Sequence, residues 1–394
     1  EHLTLYNVNI NNNETVFCRG GGIHNTGNLV IKNTSISNNS AAVGGGGIYN
    51  SGGRVTIVNS NLINNRSGAS EGGGIFNYEG KMDIKYTTIS DNIISNNGLG
   101  GGILNYNGEV DMKYSTIDNN TVNDVTLASR FSMGGGISNT ANGIFVCTNC
   151  CIRNNKAVPM TKGETVLGAG IYNASTMSLI NSTVSGNRAY SSTESFGYYG
   201  GIANAGDLSV LSSTVADNSA GTAGGGIAND GSLTIANSII GDNESPYYND
   251  ILQRGSVTVK GVNIVEDGGL TGIHIMNTDA KLEILKGNGG PTKTHALLPG
   301  SPAIDAGDVS EVPADVLDID NDGNTQETLP YDQRGPDFRR VVNVNVDLGA
   351  YEMALDLCPG NFDGDKDVDG VDLSTFAADF GRTDCNGDCV GDFD

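Results

Sequence analysis

Apolar residues recur along this chain in a fixed frame. Leu29 and Ile31 stand two apart, Ile36 follows after five more residues, and Asn39 after three more. Val55, Ile57, Leu62 and Asn65 repeat the frame, then Met82, Ile84, Ile89 and Asn92, then Val110, Met112, Ile117 and Asn120. Leu3, Leu5, Ile10 and Asn13 precede these copies, and Leu233, Ile235, Ile240 and Asn243 follow them. A separation of two puts the first pair on one face of a β-strand, and the next five residues turn a corner before the third apolar side chain points inward again. No stripe of helical period crosses this region.

Between copies of the frame lies a glycine cluster closing on Ile-x-Asn: GGGIHN from Gly20, GGGIYN from Gly45, GGGIFN from Gly72 and GGGILN from Gly100, with further copies at Gly134, Gly168, Gly200 and Gly224. Its isoleucines, at 23, 48, 75, 103, 137, 171, 202 and 227, are spaced by 25, 27, 28, 34, 34, 31 and 25. That is the period of a solenoid coil. Short strands without helical crossovers predict an all-β chain folded as a parallel β-helix over residues 1–300, each coil pairing only with its neighbours.

Stacking at about 4.8 Å turns equivalent positions into ladders. The corner two residues after the second apolar position reads Asn7, Asn33, Asn59, Asn149, Asn181 and Asn237, with Tyr86 and Tyr114 in adjacent coils. Amide stacking along the axis is expected of the asparagines, and ring stacking of the two tyrosines. The next position is small: Thr34, Ser60, Thr87, Ser115, Cys150, Ser182, Ser213 and Ser238. Cys147 falls in an inward slot, so CTNCC at 147–151 reads as packing.

Composition fits a solenoid with a thin apolar column: 394 residues, 57 Gly, no Trp and 37% hydrophobic residues. Of the net charge of −23, residues 301–394 hold −18, from 23 acidic and 5 basic side chains. Acid on this scale opposes nucleic acid as a partner. No apolar run is long enough to span a membrane as a helix. Residue 1 falls inside a repeat and the final GDFD begins what resembles another metal loop, so the chain reads as a piece of a longer protein.

Three long coils carry extra residues at Thr121 to Met133, Lys156 to Leu167 and Arg188 to Tyr199. All follow the same corner and should project as neighbours. Phe131, Tyr190, Phe196, Tyr198 and Tyr199 gather there, a candidate binding surface for glycans or for another subunit.

The stretch GNGGPTKTHALLPGSPAIDAGD from Gly287, with YDQRGPDFRR and VDLGAYE after it, resembles the choice-of-anchor domain at the end of bacterial surface β-helix proteins. The GGGI-x-N repeats resemble those of polymorphic outer-membrane proteins and other secreted right-handed β-helices. The resemblance implies a right-handed helix, secretion, surface display and a structural or adhesive role, with residues 301–354 closing the solenoid.

Residues 355–394 read as a partial dockerin or EF-hand-like calcium module. NFDGDKDVDGVD places Asn361, Asp363, Asp365, Asp369 and Asp372 at loop positions 1, 3, 5, 9 and 12, and the carbonyl of Asp367 at 7. Such spacing curls oxygen ligands around one Ca2+, although Asn361 and Lys366 replace the usual Asp and Gly. Leu373, Phe376, Ala377 and Phe380 then give a helical apolar face, and Cys385 and Cys389 are close enough in sequence to bridge, with Cys358 as a competing partner. DIDNDGN at 318–324 offers a second calcium site through Asp318, Asp320 and Asp322, without a ligand at position 12.

Three function classes remain open. The leading one is a secreted structural or adhesive β-helix at the cell surface or in the matrix, self-associating end to end into filaments or oligomers and stabilised by Ca2+. The second is a glycan-binding module tethered by its dockerin-like tail. The third is a polysaccharide lyase or hydrolase, for which Asp83, Lys85, Asp111 and Lys113, at equivalent outward positions of adjacent strands, are the best candidates. Diagonal pairing of opposite charges explains these four without catalysis, and no catalytic residue is assigned.

Overall fold

The computed structural model describes residues 2–353, apart from 69, 97, 125–131, 160–164, 191–195, 268 and 343–344, together with the segment 370–379. Residues 1–352 form one compact unit and 353–394 another.

The first unit is a parallel β-solenoid of about nine turns. Each coil runs through four short strands, exemplified by Asn28–Lys32, Ser35–Ser37, Ser40–Ala41 and Ile48–Ser51. Each strand pairs in parallel with its equivalent one coil away, which gives stacked sheets of ten, eleven, eight and nine strands among the described residues. Register follows the sequence frame: Met82 lies beside Val110 and Val55, and Ile84 beside Met112 and Ile57. These residues, the third-slot Leu62, Ile89 and Ile117, and the glycine-linked Ile48, Ile75 and Ile103 form one closed apolar column.

The glycine cluster is required by close approach. A Cβ on Gly46 would lie 2.4 Å from the Gly73 carbonyl oxygen of the next coil. Corner residues have left-handed backbones, with φ near +50° at Asn33, Asn59, Tyr86, Tyr114, Asn149, Asn181 and Asn237. Asparagine tolerates that region better than most residues, which accounts for its recurrence. Tyr86 and Tyr114 stack as expected, their ring centroids 5.1 Å apart and their planes parallel.

The continuous amide ladders, however, lie elsewhere. Of the corner asparagines, Asn181 donates to Asn149 at 2.8 Å, but Asn149, Asn181 and Asn237 also donate to the backbone carbonyls of Asp332, Tyr331 and Asp308. The inward Asn39, Asn65, Asn92, Asn120, Asn155, Asn187, Asn218 and Asn243 form the first unbroken ladder, each Nδ2 donating to the next Oδ1 at 2.8–3.0 Å. A second runs from Asn25 through Asn50, Asn77, Asn105, Asn139, Asn173 and Asn204 to Asn229. Both donate in one direction, towards the C-terminal coils. In the small-residue column each hydroxyl accepts an N–H from the preceding coil, as Ser60 does from Thr34. Cys147, Cys150 and Cys151 are buried and unbridged; Cys18 is exposed.

Beyond the last coils the chain does not extend the stack. Residues 280–352 return along its flank as a strap, from the coil of Asn237 back to that of Lys113. Asp308 N–H donates to the Asn237 side chain, Ala350 N–H to Thr214, and Thr183 donates to Gln333. Val312, Ile319, Leu329 and Val346 pack with Tyr114 and Ile180 beneath them. Gly335 sits so close to the Tyr114 ring that a Cβ would be 2.9 Å from it, at a φ of +92°. Arg334 is sandwiched between the Phe338 and Tyr351 rings and bonded to the buried Asp332. The YDQRGPDFRR and VDLGAYE motifs are therefore the strap's internal lock.

In the second unit, the helix α1 spans Gly370–Asp379. Asp372 lies on it, and Leu373 is exposed.

Candidate metal centre

Antiparallel pairing opens and closes the acidic loop of the strap. Asp315 N–H donates to the Glu327 carbonyl at 2.8 Å, and Leu329 N–H to Pro313 at 2.9 Å. This pairing sets Asp315 and Glu327 side by side at the loop mouth. Between them the backbone curls through left-handed residues at Asp318, Asn321 and Gly323.

Two carboxylate triads result, sharing Asp320. One oxygen each of Asp315, Asp320 and Glu327 lie within 4.8 Å of one another, and the same holds for Asp318, Asp320 and Asp322. The outer triad is the one expected from DIDNDGN. Asp315 and Glu327 lie outside the spacing of a twelve-residue loop, so sequence reasoning missed them; their signal is in the pairing, not in the motif.

The triads differ in how their oxygens are used. Asp318 accepts from Gly323 N–H at 3.1 Å, Asp320 from Asp322 N–H at 3.2 Å, and Asp322 from Asn324 N–H at 2.7 Å. Asp315 is 0% exposed; its Oδ2 accepts from Ile319 N–H at 2.7 Å, but its Oδ1 has no hydrogen-bond partner. Glu327 Oε1 is likewise buried and unpartnered, whereas Oε2 accepts from Asn324 at 3.2 Å. Burial raises the pKa of Asp315 despite the Ile319 N–H bond, with Asp320 adding to the rise. Burial also raises Glu327, helped by Asp322, Asp320 and Asp315. A hard cation would relieve all of these strains with oxygen ligands alone.

Lys113 holds the other side of the same loop. It is only 5% exposed, and its Nζ donates to the carbonyls of Leu317 at 2.7 Å and Asp318 at 2.8 Å. Burial, then the neighbouring Lys85, lowers its pKa to about 8. Of the other members of the catalytic candidate set, the two acids are paired across strands: Asp83 with Arg54, and Asp111 with Lys81, which also bonds Glu109. Asp83, Lys85, Asp111 and Lys113 line a cleft of about 230 Å³ closed by residues 316–318 and Thr325.

The expected aromatic surface is split. The described stems of the three insertions stack as neighbours, through Thr121–Asp124 against Lys156–Pro159 and a three-stranded sheet of Ser132–Met133, Thr165–Leu167 and Phe196–Tyr198. Tyr190 and Phe196 are exposed, and Phe196 stacks on Tyr198 at 5.8 Å. Tyr199 instead turns down onto Ala203, Ala228 and Leu252, and accepts a 3.0 Å hydrogen bond from Arg254. Phe131 lies outside the described residues, as do Asn361, Asp363, Asp365, Asp367 and Asp369 of the downstream calcium loop and the cysteines at 358, 385 and 389.

No described helix is long and apolar enough to cross a membrane. Comparison of the chain with protein-family models, curated proteins and solved structures finds no match.

Proposed function

We propose that this chain is a secreted structural or adhesive β-solenoid, displayed at a cell surface or in a matrix, whose strap braces the coil stack. The observation that carries this reading is the position of Lys113. The best-placed candidate base is buried under the strap and spends its amine on two backbone carbonyls, the role of a clamp. Asp83 and Asp111 are tied into charge pairs on the same sheet. The resemblance of residues 287–354 to a surface-anchoring end supports display, and that of residues 361–372 to a calcium loop supports attachment through Ca2+. Self-association and glycan contact through Tyr190, Phe196 and Tyr198 belong to the same proposal.

The cleft beside Lys113 favours a second reading, a polysaccharide lyase with Asp83, Lys85, Asp111 and Lys113 at its centre. Lys113→Met separates the two. A clamp predicts faster amide exchange at residues 315–320 and no depolymerising activity in the parent chain on acidic polysaccharides. Polysaccharide cleavage lost in Lys113→Met and Lys85→Met would replace the structural reading with the enzymatic one. Electron microscopy should show a solenoid body roughly 43 Å long in each chain, from nine steps of about 4.8 Å between ten strands.

A further inference from the structure

We infer that the strap carries a seat for one divalent cation of calcium's size, built from Asp315, Asp320 and Glu327, with Asp318 and Asp322 as its outer rim. This ligand set differs from the linear Asp-x-Asp-x-Asp pattern and deepens the structural reading, because the site sits within the strap that braces the solenoid.

The unused oxygens point to this inner triad. In the outer triad each aspartate accepts a backbone N–H of its own loop and none is buried, so none is left with a buried oxygen lacking a partner; Asp320 belongs to both triads. In the inner triad the fully buried Asp315 has an oxygen with no partner, as has Glu327. An unpaired buried acceptor is destabilising, and more so when charged. Among the described residues no ion pair involves these carboxylates, and the nearby Lys113 ammonium is committed to carbonyls. Calcium takes oxygen ligands at about 2.3–2.6 Å, so two ligands on opposite sides of one ion stand about 5 Å apart. Separations within 4.8 Å fit that sphere, and the loop brings oxygens alone.

The ion would hold from one side the loop that Lys113 holds from the other. Asp315 grips Ile319 N–H, and Ile319 packs in the apolar cluster over Tyr114. Cation occupancy is thereby tied to the packing of the strap on the coil.

Hydrogen exchange read by mass spectrometry on the full chain localises the effect, so the downstream loop cannot imitate it. After chelation, CaCl2 alone should slow exchange across residues 313–329 by at least about tenfold, with MgCl2 at the same concentration giving less. Asp315→Asn and Glu327→Gln should abolish that response, and Asp322→Asn should shift the calcium midpoint by less than about threefold. Residues 48–106 report folding of the solenoid; if Asp315→Asn disturbs them, Glu327→Gln decides. No calcium response at 313–329 in the parent overturns the site, as does a response that survives Glu327→Gln but not Asp322→Asn. Strap segments 290–300 and 330–340 are read in the same run. Their protection without any calcium response would leave the brace standing and the site refuted, whereas free exchange there alongside a calcium response at 313–329 would refute only the brace.

Discussion

Asparagine fills two kinds of position here, and the chemistry of each is different. An inward asparagine such as Asn120 accepts from both the backbone and side-chain nitrogens of Asn92 and donates to Asn155 and to Ile89 O. Asn120→Ala strands several buried groups at once, so chemical denaturation should show a loss of roughly 2–5 kcal/mol. The exposed corner residue Asn59 contributes mainly its tolerance of φ +48°. Asn59→Gly should leave stability nearly unchanged, whereas Asn59→Ala should cost about 1 kcal/mol. Both columns recur in the sequence, the inward one without a break and the corner one interrupted by Tyr86, Tyr114 and Ser212, but recurrence does not say which way an amide points; side-chain direction and backbone sign separate them. The thiols were easier to read, because Cys147 and Cys150 fall in slots whose other occupants are apolar or small. Burial pushes Cys151 up to about 12 and Cys147 well above the usual thiol range. Alkylation mapped by mass spectrometry at neutral pH should therefore label Cys18 and spare Cys147, Cys150 and Cys151 until the chain unfolds.

Strands of the solenoid were legible because each reports its own inward face every second residue, and the next coil repeats the message. Nothing comparable marks the strap. Gln333, Asp332 and Tyr331 find their partners at Thr183, Asn149 and Asn181, at least 150 residues away, and no period connects them. The motif that contains these residues was visible, but its purpose depends on the coil it meets. The strap's lock also titrates. Burial raises Glu352 from about 4.5 to about 8, against the opposing pull of Arg340, and with Asp347 adding to the rise. The unfolded chain loses this proton near its ordinary pKa, while the folded chain keeps it to about 8. The folded state thus binds more protons across that window, and stability falls as pH rises through it. Glu352→Gln keeps an acceptor for Asp347 N–H. Its melting temperature relative to the parent should climb between pH 5 and 8 and level off above; a constant difference would show that Glu352 titrates normally.

At the scale of the whole molecule, acid and apolar surface are segregated: −18 of the −23 charges follow residue 300, while the column that holds the coils together precedes it. Sequence reading recovered the column almost residue by residue, yet of the carboxylates that gather in the acidic loop it named only Asp318, Asp320 and Asp322, because Asp315 and Glu327 meet through strand pairing across the loop. The one-way amide ladders have a further consequence, for the number of coils the fold accepts. Every rung offers the same oxygen to the coil before it and the same nitrogen to the coil after it, so a whole turn can be removed and the cut ends still match. Deleting residues 54–80, which joins Gly53 to Lys81, leaves Asn39 facing Asn92 and Asn50 facing Asn105. A shortened protein of this kind should fold with a cooperative transition and a native-like circular dichroism spectrum. Deleting residues 176–206 preserves the rungs equally well, but removes Asn181, Thr183 and Ser185, where Tyr331, Gln333 and His295 dock. That protein should expose its strap to limited proteolysis. Coil number is thus free to drift during evolution before Lys113, and held to a fixed count from there to Asn237 by the reach of a single returning segment.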